Sequence, residues 1–484
     1  MAAVAPDSSP LVEVEVRKLG VERFAGLLSA ERYETLLAGA ERARRLLAGR
    51  TVWNVSSTAR GGGVAEMLGA LLPYVAGVGV GVQWLVIQGE PEFFAVTKRL
   101  HNHLHGQPGD GGRMDDAARR VYERTMAANR DGLQARVGRD DVVLFHDPQT
   151  AGLVDAVKRV GAIAIWRCHI GADRPNDLTR AAWAFLTPFL EHADHYVFTR
   201  AGHAWPVLDA ARVAIIPPSI DAFAPKNQDL AGDTVTAILR QAGLIVGSSS
   251  SSDAGVSVPI DGQIATVSRR ADVVEEAPVP SDAPLVTQVS RWDRLKDPVG
   301  VLDGFARHVA PYSSAHLVLA GPSTGSVADD PEAVEVLGDV RRAWASVDAD
   351  ARARIHLASL PMADEHENAL IVNALQRRSD VVVQKSLAEG FGLTVAEAMW
   401  KGRPTVASAV GGIREQIASG RNGLLLDDPH DPVAFGRAVT TVLDDDAIAS
   451  RLGNAARESV RTNYLAPRQL LQYVDLVEQL DARR

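Results

Sequence analysis

Cysteine is almost absent from this chain. Cys168 is the single one, so no internal disulfide can form and a reducing cytoplasm is the expected compartment. An excess of positive charge is missing too: 51 Lys and Arg stand against 60 Asp and Glu, a formal net charge of −9. That argues against nucleic acid or an anionic membrane as the main partner, since either rewards a basic surface. It leaves room for a local basic pocket that takes a phosphate. The longest apolar stretch, Leu71 to Ile87, is broken by Pro73 and by glycines, which argues against a membrane span. The opening MAAVAPDSSPLVEVEV has no basic segment followed by an apolar one, so no signal peptide is expected. There is no solenoid repeat. HExxH and CxxC are absent and the histidines are scattered, so no metal site is expected.

What is present is alternation. The 484 residues, 46% hydrophobic and 23% charged, exceed one ordinary core and predict two domains. Short apolar runs predict strands at Thr51–Val55, Gln83–Gln88, Asp141–His146, Ala162–Cys168 and His195–Thr199. The pattern restarts with Leu285–Ser290, Ala315–Ala320, Arg354–Ala358, Asp380–Gln384 and Pro404–Ser408. Helical patterns lie between them, which is the rhythm of parallel sheets with helices on both faces. The fold class expected is therefore α/β, two doubly wound halves, with ligands beyond the carboxyl ends of the strands and in a cleft between the halves. Pro217 and Pro218 stop regular structure near the boundary. The expected domains are 1–216, with an extension over 1–50, and 217–465. Residues 466–484 should form a helix with Leu470, Leu471, Val474, Val477 and Leu480 near one face. Packing back across the cleft and a plain terminal helix both fit it. The serine-rich stretch 247–284 reads as a flexible insertion, or else as a regulatory or assembly arm.

Four groups of residues carry candidate chemistry. Arg60-Gly61-Gly62-Gly63-Val64-Ala65-Glu66 sits between a predicted strand and helix. Its glycines let a ligand approach the backbone, and the helix start offers N–H groups to an anion; such turns also serve plain packing. Arg291 and Lys296, in SRWDRLKD, follow a strand and could neutralise a diphosphate. A solvated loop paired with Asp293 and Asp297 is the plainer alternative. The most specific group is KSLAEGFGLTVAEAM, Lys385 to Met399. Gly390 and Gly392 free the backbone before a helix, leaving the amides of Phe391, Gly392 and Leu393 pointing outward. Glu389 before that helix and Glu397 within it suit hydroxyl-rich ligands, because carboxylates accept strong hydrogen bonds; a helix start with ordinary acids is the alternative. Last, Gln88, His146 and His169 end strands in the first half, near Lys98, His101, Asn102, Asp147, Gln149 and Arg167 in sequence patterns typical of a pocket edge.

Taken together, these residues resemble the retaining GT-B glycosyltransferases of the glycogen-synthase and sucrose-synthase-like family. Arg291 with Lys296, then Glu389 with Glu397 around GFG, carry the likeness. Within that family, VWNVSSTARGGGVAEML, WLVIQGEPEFFAVTKRLHNHLHG, VVLFHDPQTAGL, WRCHIGAD, PPSIDAFAPKN and QVSRWDRLKDP are similar to the glycosyltransferring trehalose synthases. The likeness covers nearly the whole chain outside the first fifty residues and 247–284.

The resemblance implies two Rossmann-like domains facing a cleft. It also implies transfer of a glucosyl unit from ADP-glucose or UDP-glucose to free glucose, giving α,α-trehalose. Arg291, Lys296, Glu389 and His169 would be the catalytic residues. Arg291 and Lys296 would hold the diphosphate, assisted by Gly61, Gly62 and Gly63. Glu397 would bind the ribose, Glu389 with Gly390 and the amides of Phe391, Gly392 and Leu393 the glucosyl hydroxyls, and His169 the 6-hydroxyl side. Glu66, Gln88, Lys98, Asn102, Asp147 and Gln149 would lie on the acceptor side. No obligatory cofactor is implied beyond the nucleoside-diphosphate glucose, with stimulation by a divalent ion such as Mg left open. The implied partners are small sugars, in a cytoplasmic homodimer. A trehalose phosphorylase, a transferase with another small sugar or sugar-phosphate acceptor, and a non-catalytic sugar-nucleotide sensor remain open alternatives.

Overall fold

The computed structural model describes residues 10–60, 62–247, 255–324 and 331–483. Two compact units emerge: 1–219 together with 466–484, and 220–465. The first contains β1 (Val12–Val14), β2 (Thr51–Ser56), β3 (Gly81–Val86), β4 (Val142–His146), β5 (Ile163–Cys168), β6 (His195–Phe198) and β7 (Val213–Ile215). Their order in the sheet is β1-β3-β2-β4-β5-β6-β7. Every neighbouring pair is parallel except β1 with β3. β4 and β5 are buried along their full length, as expected of strands covered on both faces, and they read as continuous apolar runs for that reason. The core between sheet and helices holds Trp166, Phe145, Tyr122 and Phe198, each 1% exposed or less.

The second unit contains β8 (Val256–Ile260), β9 (Gln263–Val267), β10 (Asp272–Val274), β11 (Leu285–Val289), β12 (His316–Pro322), β13 (Ile355–Leu360), β14 (Val381–Gln384), β15 (Thr405–Ser408) and β16 (Leu424–Leu426). The main sheet runs β10-β13-β12-β11-β14-β15-β16, and β8 and β9 form a separate two-stranded sheet. All main-sheet pairs are parallel except β10 with β13. Both sheets therefore reverse their winding direction once, between β2 and β4 and between β11 and β14. In a doubly wound sheet that reversal opens a crevice at the carboxyl ends of the strands. The loops after these four strands begin at Ser57, Asp147, Ser290 and Lys385.

The stretch 247–284 departs from the expectation of flexibility. Its residues 248–254 lie outside the described ones, but 255–284 form an ordered hairpin and an edge strand. Asp261 and Gly262 both take positive φ, 46° and 80°, as a two-residue turn with right-handed strand twist requires. Val258, Ile260, Ala265 and Val267 are buried with Ile238, Leu239 and Leu370. Glu367, fully buried, accepts from the backbone N–H of Ser268 at 2.6 Å and of Arg269 at 2.7 Å. The alternation VSVPI–DG–QIATV carries this structure, and the neighbouring serine run masked it.

Candidate functional site

At the reversal in the second unit, the loop after β11 meets the loop after β14. Trp292 is buried and its indole N–H donates to Pro322 O at 2.9 Å, fixing the first loop. Arg291 stays exposed, 3.2 Å from Asp293. Lys296 ends a short 3-10 turn and its ammonium donates to Glu389 Oε2 at 2.5 Å. Both side chains are mostly buried, 17% and 12% exposed. Ser386 Oγ donates to the same carboxylate oxygen at 3.3 Å. The structure thus joins Lys296 to Glu389, while Arg291 is bonded to Asp293.

The two loops are interlocked by contacts that sequence reasoning missed. Lys385, 3% exposed, pairs with Asp297. Asp297 has φ 47° and ψ 49°, and its carboxylate also caps the helix Pro298–His308 by accepting from Gly300 N at 3.1 Å. Leu387 N donates to Leu295 O at 2.7 Å. Gln288, on β11, donates to Lys296 O at 3.0 Å and accepts from Lys385 N at 3.3 Å. Asp297-Pro298 was a readable cue, an N-cap residue followed by proline at the first helical position. Its partner 88 residues away was not.

The EGFG segment runs into the helix Leu393–Trp400 through Gly392, which caps it at φ 87°. Among the described residues, the backbone N–H groups of Phe391, Gly392 and Leu393 donate to no acceptor of the chain, the usual state of a helix start. A second glycine pair presses against this segment. Gly412 N donates to Gly390 O at 3.0 Å, and a Cβ on Gly411 would lie 1.6 Å from Glu389 O. Gln416 donates to Phe391 O at 2.6 Å. Glu397, 1% exposed, faces Lys226 Nζ at 3.6 Å. Gly411, Gly412 and Lys226 were not singled out in the sequence, though Gly-Gly after β15 was visible there.

In the first unit, Gly62 is the N-cap of the helix Gly63–Gly77 and has open space where a Cβ would go. Gly61 lies outside the described residues. Glu66 is exposed on the first turn of that helix. Gln88 is exposed; its backbone N and O bond the buried side chain of Asn129 at 3.1 and 2.8 Å. Lys98 and Asn102 stand four residues apart on the helix Pro91–Leu104, both half-buried.

The strand ends of β4 and β5 converge more tightly. Asp147 adopts φ 61°, a conformation costly for a residue other than glycine. Its carboxylate accepts from His169 N at 2.7 Å, and burial pushes that carboxyl up to about 7. The His146 and His169 rings stack with centroids 5.9 Å apart. Burial, with Arg167 close by, lowers His146 to about 3 and holds His169 well below the usual imidazole range. Gln149 Oε1 is buried with no hydrogen-bond partner among the described residues. Arg167, fully buried, donates to His169 Nε2 at 3.0 Å; the sequence pointed to it beside His169 but to no role for it.

Known proteins resemble the chain in both units. The family model for the trehalose synthase N-terminal domain matches residues 54–204. The model for glycosyl transferases group 1 matches 270–459. A trehalose synthase from Pyrococcus horikoshii is 32% identical over 464 residues, 96% of this chain and 97% of its own length. The chain belongs to the trehalose synthase family. It is a glycosyltransferase of trehalose metabolism with the GT-B fold. A trehalose phosphorylase from Pleurotus pulmonarius is 26% identical across 84% of this chain and 54% of its own. Among solved structures, an α,α-trehalose-phosphate synthase (UDP-forming) from Burkholderia vietnamiensis superposes with a TM-score of 0.64 at 16% identity, covering 90% of this chain and all of that one. No helix among the described residues of this trehalose synthase family member is long and apolar enough to cross a membrane.

Proposed function

We propose that this enzyme moves a glucosyl unit from a nucleoside-diphosphate glucose to free glucose, forming α,α-trehalose with retention at the donor carbon. The Lys296–Glu389 contact at 2.5 Å is the observation that carries the reading. It sets a cation and a sugar-binding carboxylate side by side at the mouth of a strand-order reversal, next to a helix start with unused N–H groups. Lys296 and Arg291 hold the diphosphate, as fixed cations do for charge that develops on a leaving group. Gly62 and Gly63 offer amides to the same group. Glu389 and the amides of residues 391–393 hold the glucosyl hydroxyls, and Glu397 the ribose. His169 lies toward the 6-hydroxyl. Asp147, Gln149, Glu66, Gln88, Lys98 and Asn102 form the acceptor side.

Retention without a dedicated nucleophile calls for attack on the face from which the leaving group departs. The bond from the anomeric carbon to phosphate oxygen breaks, that carbon bonds the acceptor oxygen, and the departing phosphate oxygen takes the acceptor's proton. A glycosidase reaches retention differently, by two inversions through a carboxylate. No bound cofactor is needed for this chemistry. The same reading takes the enzyme to work as a cytoplasmic homodimer. Mixing ADP-glucose, UDP-glucose or GDP-glucose with free glucose and following the product by NMR tests it: α,α-trehalose with release of the nucleoside diphosphate is expected. No transfer to glucose from any of the three would overturn it. The likeness to a phosphorylase favours one second reading, in which inorganic phosphate replaces the nucleotide. Trehalose supplied with phosphate or with ADP separates the two by which one releases activated glucose.

A further inference from the structure

Arg167 is a fully buried cation whose hydrogen-bond partners among the described residues are all neutral. Its Nε donates to His169 Nε2 at 3.0 Å, one terminal nitrogen donates to Ile216 O at 3.0 Å, and the other donates to the Tyr473 hydroxyl. The guanidinium also lies 5.5 Å from the centre of the Tyr473 ring. Tyr473 belongs to the helix Ala466–Asp481, so the last helix reaches a residue that touches the candidate site.

The hydrogen bond to His169 has a consequence for its proton. A guanidinium carries donors only and stays charged. The nitrogen that it contacts must therefore be the lone-pair nitrogen of the ring. His169 Nε2 cannot carry a proton without placing two donors face to face, so the neutral ring holds its proton on Nδ1. We propose that Arg167 is a positioning residue that locks His169 neutral in the Nδ1–H tautomer, and that Tyr473 fixes the guanidinium which does so. The ring then presents one N–H donor to a substrate oxygen and supplies no proton of its own. Direct transfer of a proton by His169 is excluded by the same geometry.

The groups around the ring are consistent with this. His146 stacks on the ring from the end of β4 and Arg167 contacts it from β5, Asp147 holds the backbone of His169, and Tyr473, with Arg468 near it, holds Arg167 from the last helix. Asp147 takes the backbone N–H of His169, not its ring, so among the described residues no carboxylate is bonded to Nδ1 to stabilise an imidazolium. Burial and the adjacent guanidinium both lower the ring's affinity for a second proton.

The role rests on the reading of His169 as a substrate-facing residue, and the test separates the two. In free wild-type protein labelled with 15N-histidine, the His169 signals are identified by their loss in His169→Gln. A protonated-type Nδ1 and a lone-pair-type Nε2 are expected, unchanged down to about pH 5, below the ordinary imidazole value of about 6.5. Arg167→Met should free Nε2 and raise the ring's pKa toward that value, with burial still holding it lower, and add an acidic limb to the kcat profile. Turnover should fall about 10- to 100-fold, as when a partner that orients a functional group is lost. Arg167→Lys, which keeps a cationic donor, should restore part of it. Tyr473→Phe should move the same readouts in the same direction, by less. A protonated Nε2 in the wild type overturns the proposal. So does Arg167→Met with an unaltered tautomer and pH profile. Should Arg167→Met fail to fold, the wild-type ring signals and Tyr473→Phe decide. The ring measurement needs no substrate, so a missing transferase activity would sink the functional reading without touching the tautomer.

Discussion

The ion pair between Lys385 and Asp297 offers the sharpest energetic test, because it clasps the two loops that hold Lys296 and Glu389. Lys385 is 3% exposed and Asp297 19%. Removing one member of a buried pair strands the other's charge, at a cost of about 3–5 kcal/mol. With Asp297 partly exposed, the lower end applies to Lys385→Met. The second unit comprises residues 220–465, and in a unit of that size each kcal/mol moves the transition by about 2–4 °C. A drop of about 6–12 °C is expected. Asp297→Gly should cost about as much, because the charge it leaves behind is the more buried partner, 3% exposed, and the upper end of that range applies. It strands the ammonium, but it also relieves a backbone at φ 47°, worth about 1 kcal/mol or more, and glycine replaces an N-cap acid at a loss of only a few tenths. The double variant carries no stranded charge and puts Met in a buried position. Its transition should lie above that of Lys385→Met alone, and the cycle should show coupling of about 2 kcal/mol or more. Calorimetry on the four proteins measures this. Additivity within about 0.5 kcal/mol would refute the reasoning, since it would mean that the two charges do not sense each other.

Lys296→Ala and Arg291→Ala should each lower kcat by about 100-fold or more, roughly 3 kcal/mol of lost charge stabilisation; the exposed Arg291 should leave the thermal transition nearly unmoved, whereas loss of Lys296 strands the mostly buried Glu389 and should lower it, and wild-type turnover in a folded variant would contradict their roles. Gly411→Ala should abolish activity and lower expression of folded protein, because the new Cβ would sit 1.6 Å from Glu389 O at a φ of 49°, whereas Gly62→Ala meets open space and should fold normally. His203 is 4% exposed, neither ring nitrogen has a hydrogen-bond partner among the described residues, and burial lowers it to about 4. Its folded value lies below the unfolded 6.5, so its contribution to stability is present above about pH 6.5 and is lost as the pH falls toward 4. His203→Leu should flatten the decline of the transition temperature across that window, and an unchanged slope would contradict it.

The two kinds of information that made this site differ in range, and that difference set what the sequence could reveal. Strand positions came from apolar runs, a local signal, and β2, β4, β5, β11 and β14 begin and end within a residue or two of the predicted runs. The same signal is too short in three-residue strands such as β1, β7, β10 and β16, and these escaped notice. Gly390, Gly392, Glu389, Lys296 and Arg291 were readable because glycines and charges directly after a strand have a physical reason to be there. The pairings of Lys385, Arg167 and Tyr473 were not, because a buried cation is explained by its partner, and Arg167 finds Tyr473 306 residues away. No periodicity reports such a pairing. A charge that looks like a solvated loop residue in one dimension becomes, once its partner is found, the group that fixes a neighbour's position or its proton. The locking contacts of Asp297 and Arg167 are therefore where variation should alter rate without altering the recognisable motifs.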